Sequence, residues 1–233
     1  MPTPTLPPAP TPAVVRVLVT DMTEPLLLDL AAAYALVNQN VAVAPVLAPA
    51  AGPAGALAAG EADLALVITP AAELFATPLG YARLVVVVHP ENAIASLSVE
   101  QVRALFAGDV TDWAQLGGAP GRVQVVVPPA SSEAARLFGL PVLLGAAPTV
   151  SALLAPTWDA MRALVSANPN AIGYLPAAEL SSAVKALDPP EALRALVMAV
   201  AAAEPQGPAR DFLAWAQSEA GQAVVGVRYE RVK

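Results

Sequence analysis

The chain has 233 residues, 56% of them hydrophobic and 13% charged, enough for a large core in one two-lobed α/β protein or two small domains. Its net charge of −7, from 12 basic and 19 acidic residues, argues against a nucleic-acid groove or an anionic membrane surface as partner. The absence of cysteine excludes a disulfide framework, a thiol nucleophile and a Cys-based metal site. Residues 1–12 are rich in Pro and Thr and read as an extended tether outside any core. They lack the basic start and apolar stretch of a signal peptide. No later apolar run reaches the roughly 18–20 residues of a transmembrane helix, so a soluble protein is expected.

Val14 to Val19 reads as a strand, and Thr23 with Pro25 as the start of a helix whose buried stripe is Leu26, Leu27, Leu30 and Tyr34. Val41 to Leu47 is a second strand, a small-residue helix runs to Gly60, and Asp63 to Ile68 is a third strand before Thr69 and Pro70. That alternation predicts parallel βαβ units. Val85 to Val88 is a β-branched run without alternation, the pattern of a parallel strand covered on both faces. Ser98 with Gln101 forms a capping box, Leu97 and Val102 a hydrophobic staple, and Gly108 a helix stop. Thr111 or Asp112 caps a turn holding Trp113. Further on come a strand at Val123 to Val127, the loop Pro128 to Ser132, and a helix from Glu133 to Gly139. Thr157 caps a helix carrying Trp158, Met161 and Leu164. Ile172 to Leu175 and Leu196 to Val200 are strands, and Pro205 to Val225 is a helical pair.

The stretch from Val85 to Gly118 also resembles the middle of periplasmic phosphate-binding proteins, the solute-binding components of phosphate ABC importers. The likeness rests on Val85 to Val88, Pro90, Asn92, the Ser98 cap, Leu105-Phe106 with Gly108, and Thr111, Trp113 and Leu116 to Gly118 in order. It covers nearly everything from Val14 to Val232, with the loops of the second half shortened. It implies a type II periplasmic-binding-protein fold: two α/β lobes joined by two hinge strands, with a ligand cleft between them. The expected division is lobe one at 13–86 plus 174–233 and lobe two at 87–173. It also implies an extracytoplasmic protein, anchored through a removed N-terminal segment, that carries a small oxyanion or other solute to an ABC permease. A monomer without cofactor is expected.

Matched to that family's ligand loops, the first falls on Val19 to Met22, where only Thr20 keeps a hydroxyl. The second falls on Pro49 to Pro53, the third on Ile68 with Thr69 beside it, and the fourth on Pro128 to Ala134. In the last, Ser132 matches a serine while Glu133 and Ala134 replace Gly-Thr, and Pro128 stands in place of an arginine. The ligand-binding candidates are therefore Thr20, Asp21, Met22, Thr69, Ser131, Ser132 and Glu133. Asp21 and Glu133 sit near the starts of two helices, where a carboxylate satisfies the N–H groups that otherwise attract an oxyanion. They read either as ordinary caps and first-turn acids or as the lining of a cleft for a ligand other than phosphate. Glu133 also stands three residues from Arg136, the spacing of a helical ion pair. Without a second histidine, His89 supports neither a metal site nor a Ser–His pair. No Walker or dinucleotide loop occurs, so no catalytic set is expected. Trp113, Trp158 and Trp215 read as core. Two functions stay open: a solute-binding component of an importer, and a degenerate binding-protein fold serving as a sensing or interaction module.

Overall fold

The computed structural model describes residues 12–47, 52–68, 73–187 and 193–232. The expected tether therefore lies almost wholly outside the described residues, as do Thr69 and the first part of the Pro49 to Pro53 loop.

β1 (Ala13–Val19) lies parallel to both β2 (Val41–Leu47) and β3 (Leu64–Val67), with α1 (Glu24–Val37) and α2 (Gly52–Ala58) as the crossovers. α1 buries Leu26, Leu27, Leu30 and Tyr34, the stripe its spacing predicts. Tyr34 meets the rings of Phe212 and Trp215, at centroid distances of 5.3 and 5.1 Å, which tie α1 to the C-terminal helix α6 (Gly207–Gln217). α7 (Glu219–Arg228) and the short β10 (Glu230–Arg231) complete this half. Thr23 stands at the N-cap position of α1 but caps nothing with its side chain. Its buried hydroxyl instead donates to the Leu66 carbonyl (2.9 Å) and accepts from the Thr20 N–H (3.0 Å), pinning the turn after β1 to the end of β3.

The two halves share one sheet in the order β2-β1-β3-β9-β4-β7-β5-β6. β4 (Phe75–Val88) carries the sheet across: Phe75 to Arg83 pairs antiparallel with β9 (Arg194–Ala201), and Leu84 to Val88 pairs antiparallel with β7 (Ala171–Pro176). The parallel strand expected at Val85 to Val88 is thus the end of a 14-residue antiparallel one, also paired with β8 (Lys185–Ala186). Leu84 to Val88 are all buried, so the unbroken apolar run reported burial on both faces and not strand direction. Gly80, at a register irregularity in β4, is required by space. A Cβ there would lie 2.8 Å from the Glu230 carbonyl oxygen and from Val225.

In the second half, β5 (Gln124–Val127) runs parallel to β6 (Leu153–Leu154) and β7. α3 (Val99–Ala107), α4 (Glu133–Gly139) and α5 (Trp158–Ser166) surround them. The Ser98–Gln101 capping box forms with both bonds present, and Gly108 ends α3 at φ 87°. Asp112, not Thr111, caps the turn at Trp113, whose indole is buried and donates to the Asn170 carbonyl. Phe106, Phe138 and Tyr174 form the aromatic centre, with Phe138 and Tyr174 stacked at 3.9 Å.

Candidate functional site

The carboxyl ends of β1, β3 and β5 face one another between the halves, the place where α/β sheets present loops to ligands. Thr20 and Asp21 follow β1, Ile68 follows β3, and Ser131 to Glu133 follow β5 and open α4. The loops meet through an exchange of carboxylates. Asp21 reaches from the first half to accept from the backbone N–H groups of Glu133 (2.7 Å) and Ala134 (3.2 Å). Glu133 reaches the opposite way, accepting from the Ile68 N–H (2.9 Å) and from the Thr20 hydroxyl. The Trp158 indole, at the start of α5, adds a bond to the Asp21 carbonyl (3.2 Å). Each carboxylate thus occupies N–H groups that a bound oxyanion would otherwise take.

Glu133 is 4% exposed. Burial pushes its carboxyl above the ordinary glutamate range, and the Asp21 charge adds to this. The bonds from Thr20 and Ile68 and the charge of Arg136 oppose the shift without cancelling it. The helical spacing of Glu133 and Arg136 does not become an ion pair. Arg136 Nη1 donates instead to the Ser131 carbonyl (3.1 Å). Burial, with a smaller contribution from the Asp21 charge, likewise pushes the Tyr174 phenol up.

The other candidates are placed as follows. Ser132 caps α4, its hydroxyl accepting from the Ala135 N–H (2.9 Å), and Ser131 is exposed beside it. Met22 sends its side chain into the core, with no exposure left, and its N–H donates to the Thr20 hydroxyl (3.3 Å). Thr69 lies outside the described residues. A cavity of about 340 Å³ opens beside Asp21, lined among others by Glu24, Ser131, Ser132, Thr157 and Trp158. Its charged lining groups are Asp21 and Glu24. Trp158, expected in the core, is a half-buried wall of this cavity. Its position directly after the Thr157 cap was the available signal, because a first-turn side chain projects toward the helix mouth. Trp215 is also half-buried, packed on Tyr34 and Phe212. Among the described residues no cluster of His, Cys, Asp or Glu suits a metal ion. No described helix is long and apolar enough to cross a membrane.

Two α/β lobes, an antiparallel strand running from one into the other, and a cleft at the strand ends define a type II periplasmic-binding-protein fold. The family described as the PBP superfamily domain matches residues 6–216, and the chain belongs to it. Among solved structures, it is similar to a phosphate ABC transporter substrate-binding protein with bound phosphate from Clostridium perfringens. That likeness has TM-score 0.83 and 20% identity, covering 94% of this chain and 100% of that one. It is also similar to an ABC-type phosphate transport receptor from Vibrio cholerae, with TM-score 0.75 and 23% identity, covering 94% of this chain and 100% of that one. The phosphate-binding protein PstS of Bacillus subtilis is 27% identical over 88 residues, 38% of this chain. The match spans 29% of that relative's length, under a third.

Proposed function

We propose that the chain is an extracytoplasmic solute-binding protein of an ABC importer, closing over a small solute through an altered cleft that does not take phosphate. Hinge bending occurs between a lobe of 13–86 plus 174–233 and a lobe of 87–173. The fold and the phosphate-binding names of its relatives support the solute-binding role. One observation carries the altered ligand: Asp21 holds the Glu133 and Ala134 N–H groups. An incoming oxyanion has to displace that carboxylate and then sit beside it, with Glu133 and Glu24 near and no basic group among the described residues of the adjoining cavity.

Thermal unfolding with phosphate, sulfate, molybdate, tungstate, small carboxylates and sugars tests this reading. A one-site ligand at about 100 times its Kd stabilises by roughly 2.7 kcal/mol. Millimolar phosphate is expected to leave Tm unchanged, while another solute of the panel raises it. A shift of several degrees at micromolar phosphate overturns the altered site. A panel in which nothing shifts Tm assigns the chain to the second reading, a self-closed sensing or interaction module. The bonds that the chain makes to itself across the cleft favour that alternative.

A further inference from the structure

Pro128 is shared between the cavity at Asp21 and a larger one, of about 530 Å³, inside the second half. The larger cavity runs between α4, β5, β6 and the segment 145–149, with Ala135, Gly139, Leu143, Ala146 and Leu154 in its walls. Small side chains on α4 and in that segment leave the volume open. Its size falls in the range of about 300–1,000 Å³ typical of small-molecule sites.

Two polar groups interrupt the apolar wall. Among the described residues, Arg136 is the single charged one in the lining. It is exposed, and it spends Nη1 on Ser131, while its remaining guanidinium N–H groups have no acceptor among the described residues. Tyr174 is only 2% exposed, its ring fixed by Phe138 and Phe106. Its hydroxyl makes no hydrogen bond to a described residue, yet no fully enclosed side-chain polar atom among those residues lacks a partner. The hydroxyl therefore keeps some exposure, and Tyr174 is a lining residue of this cavity. A ligand oxygen placed there gives the phenol an acceptor that no described residue supplies.

We propose that this cavity binds a small amphipathic carboxylic acid, with its apolar body against Ala135, Leu143 and Leu154 and its oxygens accepting from Arg136 and Tyr174. The anion is selected by Arg136, since a guanidinium fork matches a carboxylate and no acidic residue lines the cavity. The site adjoins the cleft through Pro128 and the Asp21 charge reaches its phenol, but it uses neither carboxylate of the exchange and does not depend on the function proposed for the cleft.

Octanoate is the probe, with octanol and octylammonium as neutral and cationic controls, followed by calorimetry and by amide chemical shifts of the full chain. Octanoate is expected to bind, and to shift the amides of Ala135, Gly139 and Leu143 while leaving those of Asp21 and Trp158 unmoved. Octylammonium is expected not to bind. Arg136→Gln should weaken octanoate about tenfold or more, the loss of a charged hydrogen-bond partner. Tyr174→Phe keeps the ring packing, deletes only the hydroxyl, and should weaken binding severalfold. Absence of octanoate binding, or affinity unchanged in both variants, overturns the proposal. So do shifts centred on Asp21 and Trp158, which place the acid in the cleft. Self-association that Leu154→Ser abolishes, without an octanoate response, assigns the apolar wall at Leu154 to a second copy and equally overturns it.

Discussion

At the scale of single residues the informative pair is Asp21 and Glu133. Both were legible as acids near helix starts, because position and residue type are local facts. Their partners were not, since a first-turn acid ordinarily satisfies its own helix, and nothing local says that each reaches across to the other lobe. Trp158 packs on the core as expected but also walls the cavity, because an aromatic at a helical position reports an apolar neighbourhood, not whether that neighbourhood is core alone or cleft wall as well. The burial of Glu133 leads to a prediction with a definite sign. Its carboxyl binds a proton more tightly in the folded chain than in the unfolded one, where the value is near 4.5. Stability from this group is therefore complete below the ordinary glutamate value and is lost as pH rises through the raised folded value. Glu133→Gln keeps an acceptor for the Ile68 N–H and a donor toward Thr20 while removing the buried charge. The variant is expected to melt above wild type at pH 7 and level with it near pH 4. A Tm difference independent of pH between those points would mean that burial does not set the titration of Glu133.

At the scale of elements, capping chemistry was the most readable feature. Ser98, Asp112, Ser132 and Thr157 each accept a bond from the first turn they precede. Such a cap depends on three or four consecutive residues, which is what a sequence states directly. Ser98→Ala should lower stability by about 1 kcal/mol in urea unfolding, with the m-value unchanged. A loss under a few tenths of that would mean that Gln101 alone holds the start of α3. β4 was less readable. Its first part contains Pro78 and Gly80, residue types disfavoured inside a strand, and Gly80 sits at the irregularity where β10 crowds against the strand. Its second part showed burial but not direction, because an antiparallel strand with both faces covered has the same composition as a parallel one. β6, β8 and β10 have two residues each, too few for any period to register.

At the scale of the whole molecule, the family resemblance conveyed the two-lobed arrangement, and the bonds across the cleft bear on how it closes. In a solute-binding protein the solute normally supplies the contacts that favour the closed form. Here the chain supplies its own: Asp21 to two N–H groups, Glu133 to Ile68 and Thr20, and Trp158 to the Asp21 carbonyl. Hydrogen bonds to charged groups contribute roughly 1.5–3 kcal/mol each. Water replaces part of that when the cleft opens, so the net bias toward closure is a small remainder of the gross sum. A bias of even about 1.4 kcal/mol is a tenfold ratio of closed to open, and it lowers the apparent affinity of any solute that must enter the open form by the same factor. Asp21→Ala combined with Glu133→Ala removes four of the five bonds while leaving both lobe cores intact. Wild type in the absence of solute should give the smaller radius of gyration, about 17 Å being the value for a globular chain of this length. The double variant should give a larger radius with unchanged circular dichroism, and each single variant an intermediate value, because the two carboxylates hold the same gap from opposite sides. A double variant whose scattering overlays wild type would mean that the hinge strands β4 and β7 hold the lobes closed, and that the carboxylate exchange follows closure without causing it.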